Sequence, residues 1–196
     1  MGNTRMIKRI AIVTVCLALN LCNSIEGRTT RGFITNSSLK YSSYHAYKML
    51  SEDKPITAKD VRQLLRVARQ NELWAKKITK KLKLNKLSQK RKTLRIIRWI
   101  CRTYTYDTTQ KYVEQARKTH GANCSAYADI MYCLCKSANI PVRYIIGYND
   151  KVCHAWNRVK VGKRWYWCDT TMADAGYDRE LSRQLWDGYG GIEEEW

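Results

Sequence analysis

The run Cys124-Ser-Ala-Tyr-Ala-Asp-Ile-Met-Tyr-Cys-Leu-Cys-Lys-Ser-Ala138, then Asn139-Ile-Pro141, then Val142-Arg-Tyr-Ile-Ile-Gly-Tyr148 changes its hydrophobic period partway along. Ala128, Met131, Leu134, Cys135 and Ala138 keep helical spacing. Asn139 to Pro141 stops the helix. Val142 to Tyr148 is then β-branched and aromatic, which predicts a strand. Val152 to Val159 reads as a second strand and Arg164 to Thr170 as a third. Val161-Gly162-Lys163 lies between them as a hairpin turn.

Upstream of Gly121, which reads as a breaker, the pattern is helical. Thr57, with Asp60 three residues on, predicts an N-cap, and Val61, Leu64, Leu65, Ala68 and Leu73 continue that helix to about Lys80. Ser88 predicts a second cap, with Leu94, Ile97, Ile100 and Cys101 on the buried side of a helix ending near Arg102. Thr109 to Thr119 reads as a short, weaker helix and Arg179 to Trp186 as another. Helices followed by a small antiparallel sheet make the expected class α+β.

The N-terminus is set apart from the fold. Arg5, Lys8 and Arg9 precede an apolar run from Ile10 to Cys22, and small residues follow at Cys22 and Ser24. This is the layout of a secretory signal, with cleavage expected between Ser24 and Gly27. The expected organisation is a signal over 1–27, a spacer over 28–56, one domain over 57–187 with basic N-terminal helices, and a loose C-terminal tail over 188–196. The expected location is secreted, at the cell surface or in the cell wall.

Of the 8 cysteines, Cys16 and Cys22 fall in the signal. In an exported chain the remainder invite a disulfide reading. However, the domain is long enough for a core without staples. Cys101, Cys133 and Cys135 sit in helical apolar patterns and are expected as buried thiols. The Cys133-Leu-Cys135 spacing has no partner cluster that would make a zinc site. With no calcium loop or acidic cluster either, no cofactor or metal is expected.

The formal net charge is +19; residues 1–27 carry Arg5, Lys8, Arg9 and Glu26, so +17 remains beyond the signal. No acidic residue occurs between Leu73 and Tyr106. The plain reading is a solvated helix face. The sharper one is attraction to an anionic cell-wall polymer or a membrane surface. No nucleic-acid motif accompanies the charge, so no nucleic-acid partner is expected.

Three stretches supply catalytic chemistry: a thiol at Cys124, an imidazole at His154 and a carboxylate at Asp169. Cys124 lies at the predicted first turn of a helix. Unpaired N–H groups and the helix dipole there favour thiolate and can hold an oxyanion. His154 is eight residues before Gly162 and Asp169 seven after it, so the hairpin can bring them face to face. Singly, Cys124 reads as a buried thiol, His154 as a core histidine and Asp169 as a strand-end cap. Together they read as nucleophile, base and orienting acid. Cys153 and Cys168 each precede one of these residues and should face away from the site.

Gly121-Ala-Asn-Cys124-Ser-Ala-Tyr-Ala128 resembles the nucleophile segment of the transglutaminase-like superfamily. Ile140-Pro-Val-Arg143 with Gly147-Tyr148 fits the same family. His154-Ala-Trp156-Asn157 resembles its histidine strand, and Trp165-Tyr166 with Asp169-Thr-Thr171 its aspartate strand. The resemblance runs from about Thr93 to Ala173. One departure is Thr170, where the family often has Pro. The resemblance implies a papain-like α+β core with Cys124, His154 and Asp169 as a triad. It also implies an aromatic oxyanion donor upstream, for which Tyr104 and Tyr106 both qualify. Trp156 is expected to wall the cleft, and Tyr127 and Tyr132 to pack.

The expected function is a cysteine acyltransferase or hydrolase acting on amide bonds of proteins or peptides through a thioester. The alternative is a non-catalytic module that binds a wall or surface with its basic helices. Neither substrate, acyl acceptor nor oligomeric state is legible.

Overall fold

The computed structural model describes residues 57–148, 153–174 and 192–195, together with Tyr44, His45 and Lys48. The expected signal, the rest of the spacer and the helix expected over 179–186 lie outside these residues.

Helix α1 spans Ala58–Lys81. Thr57 accepts from the Asp60 N–H at 3.3 Å, and Asp60 Oδ2 accepts from the Thr57 N–H at 2.9 Å. This reciprocal cap satisfies two donors that the first turn would leave open. Helix α2 spans Gln89–Thr103 behind its Ser88 cap. Its buried stripe is Thr93, Ile96, Ile97 and Ile100, whereas the expected Leu94 and Cys101 are only half-buried. The stripe keeps helical spacing but is rotated toward Thr93 and Ile96. Thr93 fits because its hydroxyl donates to the Gln89 carbonyl at 2.9 Å.

Strand β1 (Thr105–Tyr106) pairs in parallel with β2 (Gly121–Ala122) across helix α3 (Val113–Thr119). The helix expected from Thr109 starts at Val113. Asp107 Oδ1 instead accepts from the Thr109 N–H at 2.9 Å and holds the preceding residues in a turn. The residue that breaks α3 is His120, left-handed at φ 61°, rather than Gly121. Gly121 lies within β2, where a Cβ would meet Asp107 Cβ at 2.9 Å. Its lack of a side chain lets the two short strands approach.

Helix α4 spans Cys124–Ser137, and every residue from Ser125 to Cys135 is buried. A helix apolar all round belongs at the centre of a fold. Helices α1, α2 and α3 and strands β3 and β4 pack around it. It ends at Asn139, left-handed at φ 57°, with the Ile140 N–H donating back to the Cys135 carbonyl at 2.9 Å. Pro141 then prevents continuation.

The sheet has the order β5-β4-β3-β6, with every pair antiparallel. Strand β3 is Val142–Tyr148, β4 is Cys153–Val161, β5 is Arg164–Cys168 and β6 is Ile192–Glu195. Val161 pairs with Arg164 around Gly162, whose φ of 63° suits the turn. Tyr144, Ile146, Ala155, Val159 and Cys168 face the main core. Ile145, Trp156 and Trp167 form a second cluster. The alternation puts that cluster on the opposite sheet face. On the same side Arg143 lies over Trp165 at 4.5 Å and Arg158 over Trp167 at 4.8 Å. The third strand stops at Cys168 because helix α5, Thr170–Asp174, begins there. The expected loose tail is corrected at residues 192–195, which pair with Ile145–Tyr148 as β6. Pairing of this kind is made by main-chain groups, so the edge strand can continue through Glu193 to Glu195, which are not β-prone.

Candidate active site

Cys124 is the first residue of α4. Asn123 precedes it as the N-cap, its Oδ1 accepting from the Ala126 N–H at 3.1 Å. The N–H groups of the first turn otherwise have no intrahelical acceptor, so positive potential gathers around the half-buried thiol.

Strand β4 carries His154 to this thiol, and Asp169 follows β5. The register pairs Cys168 with Asn157, so Asp169 falls opposite Trp156 and diagonal to His154. The turn around Gly162 is not symmetric about His154 and Asp169, but a diagonal carboxylate still reaches. His154 Nε2 lies 2.6 Å from Asp169 Oδ2. With Nε2 committed to the carboxylate, Nδ1 is the nitrogen left for Cys124. Asp169 Oδ1 accepts from the Thr171 and Met172 N–H groups at 3.0 and 3.1 Å. Asp169 therefore caps α5 with one oxygen and orients His154 with the other. Side-chain exposure falls from 22% at His154 to 5% at Asp169, as suits a carboxylate acting only through the imidazole. Thr170 is the first residue of α5, a position that also accepts Pro, so its departure from the family pattern leaves the turn intact.

The electrostatics separate Cys124 from the other thiols. Burial alone would raise its pKa. Hydrogen bonds from His154 and from the Ala155 N–H, with the charge of His154, outweigh burial and bring it below the ordinary 9.0. Burial likewise works against the His154 cation. Its bonds to Asp169 and Cys124 prevail and push its pKa up to about 10. The two shifts run in the directions that favour a thiolate beside an imidazolium. Burial raises Cys101 to about 11 and carries Cys133, Cys135 and Cys168 higher still. Cys168 faces the main core, away from the site, as the strand alternation predicts. Cys153's side chain lies outside the described residues.

The two tyrosine candidates part company. Tyr104 is 3% exposed and packs edge-on to Trp99 at 5.8 Å. Tyr106 is 52% exposed, and its pKa is raised by burial and by the charge of Cys124. The β1–β2 register sets Tyr106 opposite Ala122, two residues before the thiol. Trp156 is buried and stacks on His154 with centroids 5.7 Å apart. Tyr127 and Tyr132 are both buried, and the Tyr127 hydroxyl donates to Asp174 Oδ2 at 2.7 Å, fastening α5 beneath α4.

Two neighbours have roles that the sequence does not disclose. The Tyr44 N–H donates to buried Asp129 Oδ2 at 3.2 Å, and its phenol sits by Ser125 and within the field of Cys124. Buried Asn157 donates to the carbonyls of Ala128 and Arg143 at 3.1 and 3.3 Å, tying β4 to α4 and β3. Tyr44 lies in a stretch without periodicity, and Asn157 is a polar residue on an apolar strand face. Among the described residues no group of three or more His, Cys, Asp or Glu side chains converges to hold a metal.

Residues 74–170 match the family described as the Transglutaminase-like superfamily. Among solved structures the chain is similar to a candidate cysteine protease from Cytophaga hutchinsonii, at 23% identity and a TM-score of 0.44, over 51% of this chain and 37% of that one. It is also similar to a protein named a TGase, at 18% identity and a TM-score of 0.45, over 67% of this chain and 37% of that one. The chain thus spans little more than a third of either structure. No curated protein matches the sequence. Residues 74–170 thus form a transglutaminase-like core within the chain.

Proposed function

We propose that the chain is an exported cysteine acyltransferase or hydrolase acting on amide bonds of proteins or peptides. The observation that carries this reading is the continuous contact from Cys124 through His154 to Asp169, with the thiol at a helix N-terminus. The Cys124 thiolate attacks the amide carbonyl, and the first-turn N–H groups of α4 stabilise the oxyanion. Tyr106, paired with Ala122 and within the field of Cys124, is the candidate for a second donor. The tetrahedral intermediate collapses to a thioester, and His154 gives its proton to the departing amine. An incoming amine or water then loses a proton to His154 and attacks the thioester, releasing the product and restoring the thiolate–imidazolium pair. Asp169 fixes the ring and stabilises its positive charge throughout.

A fluorescent thiol-reactive probe tests the site. The expected result is preferential labelling of Cys124, lost in His154→Ala. Uniform labelling of the cysteines, indifferent to His154, would sink the enzyme reading and leave the binding-only module. Incorporation of a fluorescent primary amine, assayed beside release of new peptide termini, separates transfer from hydrolysis. Export rests on the basic start and the Ile10–Cys22 run. An intact mass lacking about the first 24 to 27 residues is the expected sign of processing.

A further inference from the structure

A groove of about 880 Å³ runs between α1 and α3, apart from the triad. Gln63, Arg66, Gln70, Trp74 and Lys77 line one wall at helical spacing. Arg117 and Lys118 stand on the other. From Gln63 to Lys77 the groove follows about 21 Å of helix.

Its charge is one-sided. Arg66, Lys77 and Lys118 are exposed, and among the described residues none of them pairs with a carboxylate. Arg117 lies over the Trp74 ring at 5.5 Å, which holds that guanidinium on an apolar platform. The single lining acid is Glu114, whose Oε1 is already engaged by His45 Nε2 at 2.7 Å. Leu73, 52% exposed, adds an apolar rim. On another face of α1 Glu72 takes Lys76 at 2.7 Å and Arg69 at 3.2 Å. The α1 wall of the groove has no such acid.

We propose that this groove binds an anionic glycan chain. Both walls are helices whose main-chain groups are spent on their own turns, so no free strand edge is offered to an extended peptide backbone. Recognition must come from side chains. Two amides suit hydroxyl groups, four cations suit carboxylate or sulfate, and an aromatic ring and an exposed leucine suit the apolar faces of sugar rings. The site is a defined part of the basic surface, not the lysine-rich run as a whole: only Leu73 to Lys77 is common to both.

The test is equilibrium binding of the full chain to an oligogalacturonate hexamer and to a heparin hexasaccharide, with hexaglutamate as the acidic-peptide comparison. The groove variant is Arg66→Gln/Lys77→Gln/Lys118→Gln. The control is Lys86→Gln/Lys90→Gln/Arg91→Gln, which removes the same charge elsewhere. All six side chains are exposed, so both variants should fold, and far-ultraviolet circular dichroism checks this. The groove variant is expected to weaken glycan binding roughly tenfold or more, and the control by less than about threefold. The carboxylated and sulfated ligands distinguish which anion the groove prefers. Equal weakening by both variants would reduce the site to diffuse charge and overturn the proposal. Tighter binding of hexaglutamate, or no binding of either glycan, would overturn it too. No readout depends on turnover, so its failure leaves the triad reading untouched.

Discussion

The two ends of helix α4 carry cysteines of opposite chemistry. Cys124, at the first residue, has its pKa lowered against burial by His154 and the Ala155 N–H. Cys133 and Cys135, nearer the other end, are fully buried, and burial raises both. The same residue type on one helix is thus either a candidate nucleophile or a small apolar packing group. The difference comes from what lies at the helix end: open N–H donors, a dipole and an imidazole held by a carboxylate. Toward the other end, the N–H groups are consumed by the helix itself.

The sharpest way to break this contrast is to swap which cysteine is lost. Cys124→Ala is expected to lower amide turnover by about a thousandfold or more, with little change in melting temperature. Cys135→Ala should leave turnover per folded molecule unchanged but cost roughly 1–2 kcal/mol of stability. Matched activity assays and thermal melts decide it; a Cys135→Ala protein that melts normally but is inactive would reverse the assignment.

His154→Ala comes next. It removes both the hydrogen bond and the cation that hold the thiolate. The alkylation rate of Cys124 near neutral pH should fall by about 10- to 100-fold, while Cys101 is unaffected. Stopped-time iodoacetamide labelling, read residue by residue by mass spectrometry, measures this. An unchanged Cys124 rate would mean that the helix terminus alone activates the thiol.

How much of this contrast the sequence discloses depends on the distance over which each signal acts. Helical spacing around Met131 and Leu134 and alternation from Val142 to Tyr148 are local, and they define α4 and β3 directly. The capping pairs Thr57–Asp60 and Ser88–Arg91 are also local, so the starts of α1 and α2 are legible. The triad is legible in kind, because a hairpin turn between His154 and Asp169 limits where they can be. Its diagonal register is not, because nothing in Val161-Gly162-Lys163 fixes which residues close the turn. β1 and β2 are hidden for a different reason: two-residue parallel strands joined across a helix leave no period. β6 is hidden because Glu193 to Glu195 pair through main-chain groups that every residue has. Tyr44 reaches Asp129 across 85 positions of sequence, and no pattern within either segment foretells it.

Asp169 is the place where chemistry and fold share one side chain. Asp169→Asn keeps a group that can cap α5 but loses the charge beside His154. Asp169→Ala loses both. Turnover should fall in each, by about a hundredfold or more. Only the Ala variant should also lose roughly 1 kcal/mol of stability from the missing cap. Equal stability of the two variants, in urea melts, would show that the Thr171 and Met172 N–H bonds contribute little.

The smallest effect is a pH slope, and it tests who holds the His154 charge. The folded His154 pKa of about 10 exceeds the ordinary 6.5, so its stabilisation is complete below about pH 6.5 and lost as pH rises through about 10. Cys124 is shifted the other way: its stabilisation is present above the ordinary 9.0 and lost as pH falls through its lowered value. Where the windows overlap below pH 9.0, the pair holds one proton when folded, as imidazolium, and one when unfolded, as thiol. The two slopes cancel there, and stability should be flat. Cys124→Ala removes the compensating thiolate. If Asp169 alone suffices to keep His154 protonated, the folded variant binds more protons than the unfolded one above about pH 6.5. Its stability should then fall with pH, by at most about 1.4 kcal/mol per unit. Urea melts of both proteins across this range measure the slope. A flat profile in Cys124→Ala would show that the thiolate, and not Asp169, sustains the imidazolium. The activated thiol at one end of α4 would then be the source of the charge that activates it.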